Sequence, residues 1–394
     1  MWFRHLSLKI WDFMLIGIDG HNLEENRTGV GRFLWNILKE WEKSDTDDYQ
    51  FILYFKNSVP KDLSFFWYSK SKILKAPLGI KSNFLFMQWL LPKAAKKDRV
   101  DILFCPAYIK PIFYKIKTAV IIHDIIYQAH PEWYNWNSFL EKIIYKSIFK
   151  LSAKKADLIF TPSNFSKKEI IKYYKITENE ITVIPLGVDN EFLYQSAIKD
   201  EKISEIKNKY KIKDKFIFYV GSIFSRRHVP ELLAAFEDIL RLKPDYQLLL
   251  GGKNYTKPFI DIDGLIKQIN QKLNKKAIIH IDYIETKDLV WLYKLCDLFV
   301  WLSDYEGFGL PPLEALACGA IVVTSKKGSI PEIVDDAVIY IKNNKNPQEI
   351  IQALIKGLND NKLRENLKAK SKTVINKFSW QMSAWTILEK INQL

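Results

Sequence analysis

No apolar run in these 394 residues approaches the roughly 18 to 20 residues that a membrane-spanning helix needs. Cysteine is scarce as well. Cys105, Cys296 and Cys318 are odd in number, far apart and set among apolar or small neighbours, which argues against a disulfide framework or a Cys/His metal cluster and for buried, reduced thiols. Residues 1–13 mix basic and aromatic side chains but lack the apolar core and small-residue cleavage site of a signal peptide. The cytoplasm is the expected compartment, with Met14, where the first strand-like run begins, as either the true start or the end of an ill-defined extension. No tandem repeat of about 20 to 50 residues is present. Acid is in deficit: 45 Asp and Glu face 59 Lys and Arg, a formal charge of +14. No helix or groove motif accompanies that charge, so a nucleic-acid-binding module is the weaker explanation of it.

The excess charge is uneven. Residues 51–118 hold 13 Lys and Arg against 3 Asp. Phe65, Phe66, Trp67, Tyr68, Phe84, Phe86 and Trp89 lie in the same segment. Interleaved bases and aromatics suit an anionic membrane surface, where each nearby cation gains about 1 kcal/mol. The alternative is core aromatics in a lysine-rich chain. A protein peripheral on the inner face of the membrane is therefore expected, through the stretch from about 56 to 100.

Short β-branched runs alternate with helical stretches throughout, the pattern of parallel sheets covered on both faces. Six runs precede residue 190, beginning with MLIGID (14–19), and six follow residue 214, ending with AVIYI (337–341). Two doubly wound α/β domains are expected: residues 1–194, and 195–374 after a polar, lysine-rich linker at about 195–214. Residues 375–394 read as a last amphipathic helix packing back across both. Two such sheets face each other across a cleft, and ligands of open α/β sheets sit beyond the carboxyl ends of the strands.

Four segments stand there. In DYEGFGLPPLEALACG (304–319), Glu306 and Glu314 are separated by seven residues, and Gly307, Phe308, Gly309 and Leu310 lead into a helix opened by Pro311-Pro312. Glycines admit a ligand close to backbone amides, and a helix N-terminus offers unpaired donors. Glu306 is suited to sugar hydroxyls and Glu314, placed in the first helical turn, to a ribose diol. In YVGSIFSRRHVPELLAAF (219–236), Gly221 and Ser222 form a turn before Arg226 and Arg227, guanidiniums suited to a diphosphate. Thr28-Gly29-Val30-Gly31-Arg32 precedes an amphipathic helix, with Asp19 and His21 at the preceding strand end. His123 and Asp124 close a five-residue apolar run. Asp261-Ile262-Asp263 is a DxD, read as a helix cap rather than a metal site.

The 304–319 segment resembles the donor-binding motif of the family 4 retaining glycosyltransferases, and the resemblance runs from Met14 to Leu394, loosely over 56–100. It implies the GT-B fold, two facing Rossmann-like domains. It implies donor contacts at Gly29, Gly31, Gly221, Ser222, Arg226, Arg227, Glu306, Gly307, Phe308, Gly309, Leu310 and Glu314. His123, Asp124, Glu306, Arg226 and Arg227 become the expected catalytic set, with His123 at the reacting sugar and the two arginines neutralising the diphosphate, so that no metal or cofactor is needed. Relatives usually carry lysine at Arg227 and asparagine at His228. The Arg-Arg turn and His-Asp strand end resemble bacterial mannosyltransferases of polysaccharide and lipopolysaccharide synthesis, which implies GDP-mannose as donor and a glycan or polyprenyl-linked glycan as acceptor. UDP-glucose or UDP-N-acetylglucosamine would fit the same scaffold. A glycosidase is disfavoured by the phosphate-type loops, a phosphorylase by the lack of a recommended pyridoxal lysine, and a sugar-nucleotide epimerase stays open.

Overall fold

The computed structural model describes residues 13–394 apart from 25–26, 28, 45–47, 76–81, 135, 137 and 194–199. Thr28, residues 1–12 and the first part of the expected linker therefore lie outside the described residues. The first sheet holds β1 (Met14–Asp19), β2 (Tyr49–Phe55), β3 (Ser71–Ile73), β4 (Ile102–Cys105), β5 (Lys117–Ile121), β6 (Leu158–Thr161) and β7 (Ile181–Val183). Their order is β3-β2-β1-β4-β5-β6-β7, and every pairing is parallel. The second sheet holds β8 (Phe216–Val220), β9 (Gln247–Gly251), β10 (Ile278–Ile281), β11 (Leu298–Trp301), β12 (Val322–Ser325) and β13 (Ile339–Ile341), ordered β10-β9-β8-β11-β12-β13, again parallel. Central strands such as β9 and β11 are buried at every residue, which is why they read as continuous apolar runs.

In each sheet the strand order reverses between two central neighbours, β1 and β4 in the first, β8 and β11 in the second. Loops after those strands diverge and leave a crevice. The Arg226-Arg227 turn follows β8 and the Glu306 loop follows β11, so the second sheet's switch point gathers both.

The expected linker is shorter than its composition suggests. Residues 200–210 form the helix Asp200–Tyr210, with Ile206 and Tyr210 buried at i, i+4 spacing among lysines that hide the stripe. Tyr210 and Lys209 both reach Asp288, at 2.7 and 2.6 Å, docking this helix on the second domain. At the far end of the chain, the helix Trp380–Asn392 lies against the first-domain helix Val30–Lys43, where the Trp41 indole donates to the Ala384 carbonyl at 3.0 Å. Gly187 makes that return possible, since a Cβ there would sit 2.2 Å from the Trp380 nitrogen.

The basic aromatic stretch does not form one exposed surface. Trp67 and Phe86 are buried in the core, whereas Phe65, Tyr68, Phe84 and Trp89 are exposed, and Lys72 is paired with Asp98. Trp67 sits against Phe51 of β2, 5.3 Å between ring centres, because the short Phe65–Tyr68 helix turns it inward.

Candidate active site

Glu306 and Arg227 form the centre of the crevice. The guanidinium reaches both carboxylate oxygens, Nε to Oε1 at 3.0 Å and Nη2 to Oε2 at 3.3 Å, while Nη1 donates to the Ser222 carbonyl at 2.9 Å. Ser303 donates to the same Glu306 Oε1 at 2.8 Å. The Trp301 ring lies 4.3 Å from the Arg227 guanidinium carbon, fixing the plane of the fork. Gly221 allows this stacking: it has φ +142°, and a Cβ would meet the Trp301 ring at 2.7 Å. Burial alone would raise the Glu306 pKa, but Arg227 and then Arg226 outweigh it and hold the carboxylate below its ordinary range. Arg226 stacks on Phe224 at 4.3 Å, and its buried Nε has no hydrogen-bond partner among the described residues. One guanidinium thus pairs with the ionised carboxylate, and a second stands beside it without that bond.

His123 and Asp124 face this cluster from the first sheet. The His123 Nε2 lies 2.9 Å from the Pro106 carbonyl, which only accepts, so Nε2 carries the proton and Nδ1 keeps its lone pair. Burial pushes its pKa down to about 4. The imidazole is therefore a neutral acceptor at Nδ1 rather than a cation. Asp124 accepts from the Ile126 nitrogen at 3.0 Å, and burial lifts its pKa above the ordinary value. The two domains touch here. A Cβ on Gly307 would lie 2.1 Å from the His123 carbonyl oxygen, and Ser163 Oγ donates to the Gly307 carbonyl at 2.6 Å. Asn164 adds a second tie, its backbone and side-chain nitrogens each 2.8 Å from Glu332.

The Gly29-Gly31 turn is built differently from a simple phosphate cradle. Gly29, φ +47°, caps the Val30–Lys43 helix with open space where a side chain would be, whereas Gly31 is pressed on the Asn22 carbonyl, 2.4 Å from where a Cβ would stand. The residue that reaches the crevice is Arg32. It donates to Glu314 Oε1 at 2.5 Å and to Asp189 at 2.7 and 2.9 Å. Glu314 is buried and its other oxygen accepts from Tyr293 at 3.2 Å. It stands in the second turn of the helix Leu310–Ala317, not the first, because the helix begins at Leu310 after Gly309, φ +104°. Arg32, Asp189 and Tyr293 were not singled out as site residues from sequence; the only signals were the arginine after GxG and the aspartate closing PLGVD.

Comparison with known proteins identifies the family. The family model described as Glycosyltransferase Family 4 matches residues 27–192, and that described as Glycosyl transferases group 1 matches residues 200–374. The chain belongs to glycosyltransferase family 4. It is 31% identical to "Serotype-specific mannosyltransferase WbdA" of Escherichia coli over 71% of its own length and 34% of that protein's. It is 29% identical to "O-antigen chain mannosyltransferase B" of Escherichia coli over 70% and 71% of the two chains. The chain spans about a third of the length of the WbdA relatives it matches first. In fold it superimposes on sucrose-phosphate synthase from Thermosynechococcus elongatus with a TM-score of 0.72 at 16% identity, covering 96% of this chain and 98% of that one. The two facing sheets are the GT-B fold.

Two further clusters in this chain are structural. Asp261 caps the helix Ile262–Lys272 through the Gly264 nitrogen at 2.9 Å, and Asp263 pairs with His280 at 2.7 Å, so the DxD carboxylates are spoken for separately. His228, in left-handed backbone with φ +48°, places Nδ1 2.9 Å from Glu231 and Nε2 2.7 Å from Asp304. Both partners only accept, so both ring nitrogens carry protons. Burial opposes that charge, but the two carboxylates prevail and raise the pKa to about 9. A folded pKa above the unfolded one contributes stability that is full below about pH 6.5 and fades as pH rises through about 9. His228→Asn, which also tolerates the left-handed backbone, is expected to remove that dependence. Denaturant titrations should show the wild type losing about 1–3 kcal/mol relative to the variant between pH 6 and 9. A constant difference across that range would show that folding leaves the His228 pKa unshifted.

Proposed function

We propose that the enzyme is a retaining, metal-independent hexosyltransferase that moves mannose from GDP-mannose to a glycan or lipid-linked glycan. One observation carries this most: two adjacent guanidiniums stand beside one carboxylate at the switch point of the second sheet, Arg227 paired with Glu306 and Arg226 with a buried Nε that has no partner among the described residues. That excess of fixed positive charge is matched to a diphosphate leaving group, whose charge grows as the glycosidic C–O bond breaks. In this reading Arg226 and Arg227 stabilise that charge without a cation. The acceptor hydroxyl attacks from the same face, its proton passes to the departing phosphate oxygen, and no protein carboxylate serves as nucleophile. Glu306 orients sugar hydroxyls, and the His123 Nδ1 lone pair accepts from another.

In this reading Glu314 binds the ribose diol. A carboxylate offers about four lone-pair positions. Arg32 and Tyr293 use one on each oxygen, fixing the plane of the carboxylate and leaving one on each for the ribose diol. Mannosyl transfer is favoured by the names of the two Escherichia coli relatives. The test is a thermal-shift panel of GDP, UDP, ADP and dTDP. GDP is expected to give the largest rise; a rise with UDP alone would replace the donor assignment, and no rise with any of the four would overturn the donor site itself.

A further inference from the structure

The helix Phe139–Lys154 carries a feature that nucleotide-sugar chemistry does not use. Its inner side is closed: Ile148, Phe149, Ser152 and Ala153 are buried against the first domain. At 100° per residue, Phe139, Leu140, Ile143 and Ile144 fall together on the opposite side. Phe139 is 77% and Leu140 65% exposed, and the two isoleucines are exposed as well. Ser138 starts the helix by accepting from the Glu141 nitrogen at 3.0 Å, so this apolar end is a defined first turn. Lys146, Lys150 and Lys154 pass from one edge of the same face onto it at four-residue spacing, whereas Lys142 falls toward the inner side.

Neighbouring segments continue the pattern. Lys155 Nζ donates to the Ile112 carbonyl at 3.2 Å, and buried Gln88 binds both the Lys110 carbonyl and the Ile112 nitrogen at 2.8 Å. These bonds hold exposed Phe113 and exposed Trp89 on segments tied to the end of the helix. Exposed side chains this large, gathered on one helix and its neighbours, mark a surface that meets something apolar.

We infer that this face docks on an anionic bilayer, with the aromatic and aliphatic side chains at headgroup depth and the lysine edge on lipid phosphates. Charge decides the occupant. A second copy brought against the same face would set its own lysines against these, on a chain that already carries +14, whereas an anionic leaflet complements them. Of the basic aromatic stretch, exposed Trp89 follows Gln88 on the segment tied to this helix, and buried Trp67 takes no part. Docking would also set the transfer site near the lipid. Phe149 on the inner side packs on Tyr108 at 5.8 Å, and Tyr108 packs on His123 at 5.9 Å, one aromatic layer from the crevice. The link to a lipid-borne acceptor rests on the proposed transfer reaction; the docking does not.

The test is sedimentation of the full chain with phosphatidylcholine vesicles with and without phosphatidylglycerol. Wild type is expected to bind the anionic vesicles alone, and less as salt rises. Ile143→Glu/Ile144→Glu should weaken binding at least about tenfold, and Lys146→Ala/Lys150→Ala/Lys154→Ala should weaken it and flatten its salt dependence. Both variants should keep the wild-type melting temperature and nucleotide-induced thermal shift, which separates failure of docking from failure of the donor site. Equal binding by wild type and the isoleucine variant would overturn the assignment. So would a wild-type dimer, seen by sedimentation equilibrium, that the isoleucine variant dissolves.

Discussion

Glu306→Ala is expected to lower the rate of transfer about 10³-fold, the scale of losing one preorganised polar contact in a water-excluded site. Binding of the nucleotide diphosphate should survive. The carboxylate is the partner of Arg227, so its removal leaves the two guanidiniums more positive toward a diphosphate rather than less. The variant should therefore separate the two constants, with kcat collapsing and nucleotide affinity kept or improved. Stability follows the same logic. An unpaired buried guanidinium costs about 3 kcal/mol, so the variant should melt below wild type without nucleotide and recover when GDP is added. A variant with near-normal kcat would remove Glu306 from the reacting centre.

Arg227→Ala should act the other way on binding. It takes a charge from the leaving group, so donor KM should rise and kcat fall together, by about 10²- to 10³-fold in kcat. It also leaves Glu306 buried without its fork, and the carboxylate then loses the main cause of its depressed pKa. Arg227→Lys should keep activity within about tenfold of wild type, since the positive charge remains, although the bidentate geometry and the stacking on Trp301 are lost. Steady-state kinetics with the donor varied distinguish these outcomes. A rise in KM with kcat unchanged would mean that Arg227 binds the ground state and the transition state equally.

The strands were legible because both faces of each sheet are covered, so runs such as YQLLLGG are apolar without alternation. β3 was not, because a three-residue edge strand containing Lys72 has too little apolar signal. The helix Asp200–Tyr210 was hidden by its lysines, since only Ile206 and Tyr210 turn inward. At the site, residue types and their place after strands picked out Glu306, Arg226, Arg227 and His123. What those residues do to each other was not legible. The Arg32–Glu314 pair joins positions 282 residues apart, and His123 owes its neutral state to burial and its tautomer to the Pro106 carbonyl. Trp67 shows the converse: its composition context suggested a surface, and the turn of a four-residue helix decided otherwise.

The central claim is same-face transfer with guanidiniums in place of a cation. It is tested most directly by incubating the full chain with GDP-mannose and a glycan acceptor in excess EDTA and reading the anomeric configuration of the new linkage by NMR. The account predicts turnover that EDTA does not diminish and a product with the configuration of the donor. An inverted linkage, or activity lost in EDTA and restored by magnesium or manganese, would contradict it.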